Sequence, residues 1–280
     1  MATLVCFHAH PDDESIATGG TMALAARDGH DVVLVLATRG ELGEPVPGVL
    51  SDGEALWERR VVETRRAADL LGVGRVDFLG YEDSGMMGEP TNDDPACFWQ
   101  ADVDEAAERL AAILRDVDAD VLTIYDDHGG YGHPDHIQVH RVGARAAELA
   151  GVGSVFQSTM NRDEMRRNMA ESPEFQAALE EGEEGVADAA VDDARERMER
   201  VENDEFGSPE ALITHAVDVR AVLDQKRDAM RAHASQIAPD SFFLALPTDV
   251  FSRTFGTEWF IELGATRAPE SPFAPALLPA

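Results

Sequence analysis

Lysine is almost absent from this chain: Lys226 is the only one among 280 residues. The other basic residues are arginines, and 54 acidic residues against 23 basic ones leave a formal charge of −31. Such a balance repels phosphate backbones and anionic headgroups, so nucleic acid and membrane surfaces are disfavoured as partners. Cysteine is nearly as scarce. Cys6 and Cys97 lie far apart without C-x-x-C spacing, which argues against a disulfide framework and against a thiolate zinc site. Cys6 falls inside an apolar run, as a small buried hydrophobe does. No stretch approaches the roughly 20 apolar residues of a membrane helix. The opening residues Met1–Phe7 carry neither a basic leader region nor a cleavage site, so they read as a first strand and the expectation is a cytoplasmic protein. Glycine signatures for nucleotides are missing too: no G-x-G-x-x-G follows the first apolar run and no G-x-x-x-x-G-K-[ST] occurs.

What is present suits one α/β domain over residues 1–280, with an ordinary hydrophobic share of 44%. Strands are expected at Thr3–His8, Asp31–Ala37, Val76–Leu79, Asp120–Tyr125 and Val152–Gln157. Helices are expected between them at Glu14–Asp28, Gly53–Leu71, Asp102–Asp116 and Pro134–Leu149. Val32 to Leu36 are continuously apolar, as in a strand buried on both faces. This alternation predicts a Rossmann-like, mostly parallel sheet flanked by helices. Ligand sites in such sheets lie beyond the carboxyl ends of the strands. The polar stretches His8–Glu14, Thr38–Glu44 and Asp126–His136 fall there. A stretch over about 162–204 is rich in Glu, Asp, Ala, Arg and Met; it reads as an acidic helical insertion with a solvated surface. Beyond it, Ala211–Val217 suits a strand, Arg220–Ala234 a helix and Thr257–Leu263 a late strand.

Two clusters carry chemistry. His10-Pro11-Asp12-Asp13-Glu14 follows the first strand, and Tyr131-Gly132-His133-Pro134-Asp135-His136 follows a later one. Imidazole and carboxylate ligands suit zinc, and a catalytic zinc keeps three protein ligands and an open position. His10 and Asp13 can reach one ion from a strand-to-helix turn. His136, inside the start of a helix, is the choice for a third ligand from the other loop. Residue by residue, blander readings remain. Asp12 also suits the N-cap of its helix. Tyr131 also suits packing with its hydroxyl satisfied by backbone. Arg60 also suits an i,i+3 pair with Glu63 on a wet helix face. His8 reads as structural, on the alternate face of the first strand. His233 with Gln236 suits either the border of the site or a surface pair, and the surface pair is the preferred reading.

The run from Phe7 to Glu14 together with His133-Pro134-Asp135-His136 resembles the PIG-L/LmbE-like deacetylases. Further matches are Thr38-Arg39-Gly40-Glu41, the Arg60-Val61-Val62-Glu63 helix leading to Leu71-Gly72-Val73, and Asp83-Ser84-Gly85-Met86. The similarity is continuous from about Ala2 to Gln157, and weaker over Lys226–Gln236 and the C-terminal strand. The resemblance implies an LmbE-like fold and zinc-dependent deacetylation of an N-acetylglucosamine-containing glycoconjugate. It implies His10, Asp13 and His136 as metal ligands and Asp12 as general base. It implies His133 as the group that stabilises developing charge or protonates the leaving amine, and Tyr131 as donor to the carbonyl oxygen. Arg60 and Asp83 match positions that contact the sugar or its aglycone, and Glu41 joins them as a substrate-binding residue. Glu14 supports the turn from the first turn of its helix. Zinc and ferrous iron both suit two histidines and an aspartate. A conjugate amidase that removes a larger acyl group and a non-catalytic metal-binding protein are the alternatives; intact Asp12 and His133 speak against the latter. A homo-oligomer stays open.

Overall fold

The computed structural model describes residues 1–171, 203 and 205–279. Thr3–His8 forms β1. Its side chains alternate between two cores, with Leu4 and Cys6 on one side and Val5 and Phe7 on the other, as the two-residue period of a strand requires. Asp31–Leu36 (β2) does the same. Val32, Leu34 and Leu36 enter the first core, and Val33 and Val35 the second. Burial on both faces explains its unbroken apolar run.

The remaining strands are β3 (Arg75–Phe78), β4 (Val121–Tyr125), β5 (Ser154–Thr159), β6 (His215–Asp218) and β7 (Thr257–Glu262). All seven form one sheet in the order β3-β2-β1-β4-β5-β7-β6. The first five strands run parallel; β7 is antiparallel to both β5 and β6. Asp13–Ala17 (α1), Gly19–Arg27 (α2) and Leu56–Leu71 (α3) follow the first two strands. Side chains of α2 and α3 cover the first core, among them Met22, Ala67 and Leu71. Val103–Asp116 (α4) follows β3, and the single turn Gly129–Gly132 (α5) leads into Pro134–Ala150 (α6). Leu110 and Leu114 of α4 and Val139 and Val142 of α6 cover the second core. The fold is therefore the expected α/β layer arrangement, with a mostly parallel sheet between helices.

Local departures have identifiable causes. The helix expected over Glu14–Asp28 is broken at Thr18, which has φ −134°. Thr18 Oγ1 bonds both the Glu14 carbonyl and His8 Nε2, while the Glu258 carboxylate accepts from the Gly20 and Thr21 N–H groups at the restart. The helix expected from Gly53 begins at Leu56. The strand expected over Ala211–Val217 shrinks to β6. The helix expected over Arg220–Ala234 opens with a 3-10 turn at Arg220–Val222 and continues as Leu223–Ala232. The acidic insertion begins with Arg162–Glu171 (α7); apart from residue 203, the rest of the predicted stretch lies outside the described residues. Leu223–Ala232 is named α8. Among the described residues no helix is long and apolar enough to cross a membrane.

Lys226 of α8 is 1% exposed, and its Nζ lies 2.7 Å from Glu258 Oε1. Glu258 belongs to β7 and also caps the start of α2, so this pair joins three elements. Breaking a buried pair from one side leaves an uncompensated charge, at a cost of about 3–5 kcal/mol. Lys226→Met is expected to lose stability of that order in urea unfolding. An unchanged midpoint would show that the pair contributes nothing.

The chain runs from β1 through β2 to β3 at one edge, then returns to place β4 on the other flank of β1. The loops after β1 and β4 therefore leave the sheet side by side at its carboxyl end, at the switch point where such sheets bind ligands.

Candidate active site

Three donor atoms converge between those loops. Asp13 Oδ2 lies 3.3 Å from His10 Nδ1 and 3.2 Å from His136 Nε2. His10 stands just beyond the end of β1, Asp13 opens α1, and His136 lies in the first turn of α6. Tyr125, at the end of β4, stacks on the His136 ring with centroids 4.3 Å apart and planes 9° apart. The loop between them passes close over α6 at Gly129, whose φ is +68°; a Cβ there would stand 2.6 Å from the His136 Cβ.

The other His10 nitrogen, Nε2, lies 3.1 Å from Asp135 Oδ2 and 3.5 Å from Asp83 Oδ1. Asp135 is held in turn by the Ser84 N–H at 2.9 Å and by the Ser84 hydroxyl. A carboxylate on the far nitrogen is what fixes the ring and tautomer of a ligating imidazole.

The electrostatics favour a cation at this point. Burial alone would lower the pKa of His10, yet Asp83, Asp13 and Asp135 hold it well above the ordinary value. Burial would raise Asp13, but His136 and His10 hold it well below. His136 Nε2 is buried and, among the described residues, has no hydrogen-bond partner. Its nearest polar neighbour across the site is the Asp13 carboxylate, at 3.2 Å. An orphaned buried nitrogen costs about 1–3 kcal/mol, and a metal ion between these donors would satisfy it. The residues thus fit a His₂Asp metal site.

His133 also brings a nitrogen within 4.8 Å of ligand atoms of His10 and His136, but it is engaged differently. Its Nδ1 accepts the Asp135 N–H at 3.1 Å, capping α6. A neutral ring bonded in this way carries its proton on Nε2, which is then a donor rather than a ligand. Burial, with His10 and His136 nearby, pushes its pKa down to about 2 and keeps it neutral.

Asp12 adopts φ +98°, a left-handed conformation uncommon outside glycine. Such strain costs about 1–3 kcal/mol and persists only where the surroundings impose it. The residue sits at the N-cap position of α1, yet its side chain makes no capping bond. The carboxylate faces Arg60 Nη2 at 3.4 Å instead. Burial raises its pKa to about 6 against the opposing pull of Arg60.

Arg60 is buried beneath this loop. Its guanidinium donates to the Gly40 carbonyl at 2.9 Å and to the Pro11 carbonyl. Gly40 has φ +68°, and a Cβ there would stand 2.3 Å from that guanidinium. The helix face carrying Arg60 and Glu63 is therefore dry rather than wet, and Glu63 accepts from the Ser235 N–H and hydroxyl. Glu41 accepts the Asp83 N–H at 3.2 Å, and Asp83 accepts the Leu42 N–H at 3.3 Å. These two acids form one wall beside His10. Tyr131 meets the His136 ring edge-on at 4.9 Å, and burial raises its pKa.

Every residue singled out from the sequence therefore lies in or against one cluster, with Arg60 below it and Glu41 joined through Asp83. Sequence reasoning assigned nothing to Asp135, Ser84 and Tyr125. Asp135 and Ser84 lie inside quoted motifs, so their position was a usable signal; Tyr125 showed only as a strand terminus. His8 is structural as expected, bonded between the Tyr125 hydroxyl and Thr18 Oγ1 at 2.8 Å each. His233 is a correction. It is fully buried with Nε2 2.6 Å from Glu14 Oε1, because the C-terminal end of α8 turns it inward. Gln236 bonds separately to the Ser235 and Glu44 carbonyls.

Residues 5–147 match the model of the PIG-L family, GlcNAc-PI de-N-acetylase. A 1D-myo-inositol 2-acetamido-2-deoxy-alpha-D-glucopyranoside deacetylase from Acidothermus cellulolyticus is 44% identical over 280 aligned residues, covering 96% of this chain and 91% of that one. N,N'-diacetylchitobiose deacetylase from Pyrococcus horikoshii matches with a TM-score of 0.57 at 21% identity, covering 93% of this chain and 83% of that one. GalB, the 4-carboxy-2-hydroxymuconate hydratase from Pseudomonas putida, matches with a TM-score of 0.59 at 19% identity, covering 97% of this chain and all of that one. A hydratase on the same fold means that the fold by itself does not select the reaction.

Proposed function

Because this chain belongs to the PIG-L family, we propose that it is a metal-dependent amide hydrolase that removes the acetyl group from an N-acetylglucosamine-containing glycoconjugate. The substrate we assign is the one named for its relative, 1D-myo-inositol 2-acetamido-2-deoxy-α-D-glucopyranoside. The observation that carries this reading is the Asp13 carboxylate between His10 and His136, beside an Asp12 carboxylate that serves no helix cap.

His10, Asp13 and His136 would hold the ion, for which we propose zinc. When bound, a divalent ion supplies Lewis-acid polarisation and makes hydroxide accessible near neutral pH. Asp12 takes the proton of the attacking water. Arg60 fixes the Asp12 loop through the Pro11 carbonyl and faces the carboxylate itself. Tyr131 donates to the carbonyl oxygen as charge develops there. His133, with its proton on Nε2, donates to charge developing on the substrate. The leaving nitrogen must depart as neutral amine, and Asp12, once protonated, is a source of the required proton. Asp135 and Ser84 hold His10 in place. Asp83 and Glu41 present carboxylates to sugar hydroxyls.

Acetate release tests the reading. Metal-stripped protein, with and without added zinc, is offered the inositol glycoside, N-acetylglucosamine and N,N'-diacetylchitobiose. Zinc-dependent release, fastest from the inositol glycoside, is expected. No release from any of the three by metal-loaded protein would overturn the deacetylase reading and direct the search to larger acyl groups.

A further inference from the structure

Glu14 and His233 have no part in the steps above, yet both side chains are fully buried and bonded to each other. Glu14 uses both oxygens. Oε1 accepts from His233 Nε2 and from the Ser15 hydroxyl, each at 2.6 Å, and Oε2 accepts the Asp12 N–H at 2.9 Å. That N–H belongs to the residue with φ +98°. The left-handed conformation of Asp12 is thus held from three directions: Glu14 on its amide, Arg60 on the preceding carbonyl, and the Ser15 and Ile16 N–H groups on its own carbonyl. Arg60 ties the turn to α3, and the Glu14 hold reaches further along the chain. It connects the Asp12 turn to the C-cap of α8, where His233 stands. A donor is favoured there because the helix carbonyls concentrate negative potential at that end.

We propose that His233 is a positioning residue that acts through Glu14 to fix the backbone of Asp12, and so the direction of its carboxylate. The proposal rests on Asp12 being the base of the deacetylation. A buried carboxylate with two acceptor oxygens keeps its orientation only while both are loaded. Removing the His233 donor leaves Oε1 only the hydroxyl of the adjacent Ser15, which does not tie Glu14 to α8, so Glu14 gains freedom to turn and its bond to the Asp12 amide weakens. The strained turn relaxes, and the carboxylate leaves its working position without touching the metal donors.

The test compares wild type with His233→Leu, His233→Gln, Glu14→Gln and the Glu14→Gln/His233→Leu double variant. Hydrogen exchange at the Asp12 amide is followed in metal-free protein, and kcat, KM and metal content are measured in loaded protein. Partners behind a metal site typically matter by about 10–100-fold. His233→Leu is expected to lower kcat by that factor, leave KM within about twofold, retain metal and expose the Asp12 amide to faster exchange. His233→Gln retains a donor and is expected to recover most of the loss. In the Glu14→Gln background, His233→Leu is expected to add nothing. Should His233→Leu fail to fold, Glu14→Gln decides alone through Asp12 exchange. Unchanged Asp12 exchange in the single variants, or losses that multiply in the double variant, would overturn the proposal. If wild type releases no acetate, the deacetylase reading fails, while the exchange comparison still decides whether the relay holds Asp12.

Discussion

Asp12→Ala is expected to keep its metal and to lose turnover by about 10²–10⁴-fold, the usual contribution of a general base. The fold has little stake in this carboxylate. It makes no capping bond to α1, and Arg60 keeps its bonds to the Gly40 and Pro11 carbonyls when the carboxylate is gone. Alanine inherits the same strained backbone, so a small loss of stability is expected beside a large loss of rate. The metal donors remain, because Asp13 contacts His10 and His136 directly. The check is kcat for acetate release together with metal content of the same preparation. A near wild-type kcat would show that another group takes the proton.

His136→Ala is expected to act on the metal itself. Losing a residue behind a ligand costs about 10–100-fold in affinity, so losing a ligand should exceed that. Turnover should vanish at one equivalent of zinc and return in part with excess. His133→Ala is the informative contrast. Its Nδ1 is committed to the Asp135 N–H, so its loss should slow turnover while metal affinity holds. Metal loss in both His133→Ala and His136→Ala would favour instead the grouping of His10, His133 and His136, whose ligand atoms lie within 4.8 Å of one another. Equilibrium zinc titration of the two variants separates the outcomes.

The parts of this site legible in the sequence are those where a short motif follows a strand. His10 to Glu14 directly follows β1 and Tyr131 to His136 follows β4, and the alternation of apolar strands with helices placed both loops at one end of a parallel sheet. Topology placed the Thr38–Glu44 stretch that holds Glu41 at the site, but Asp83 was legible only through family resemblance, and nothing in their spacing joins the two. The link between Glu14 and His233 was not legible. It depends on how α8 docks, and a histidine at a helix end beside Gln236 looks the same in sequence whether it faces solvent or the core. The break at Thr18 was hidden for a related reason: the partner that fixes it, Glu258, lies 238 residues beyond Gly20. Nor does strand periodicity disclose direction, so the reversal of β7 against β5 emerged only with the fold.

The most direct test of the account is anomalous diffraction from crystals of the zinc-loaded protein, with data on both sides of the zinc edge. One peak is predicted, about 2.0–2.2 Å from His10 Nδ1, Asp13 Oδ2 and His136 Nε2, with the Asp12 carboxylate facing the open side and His133 outside bonding distance. A peak ligated by His133 in place of Asp13, or an ion bound only at the Asp126–His128 loop, would contradict it.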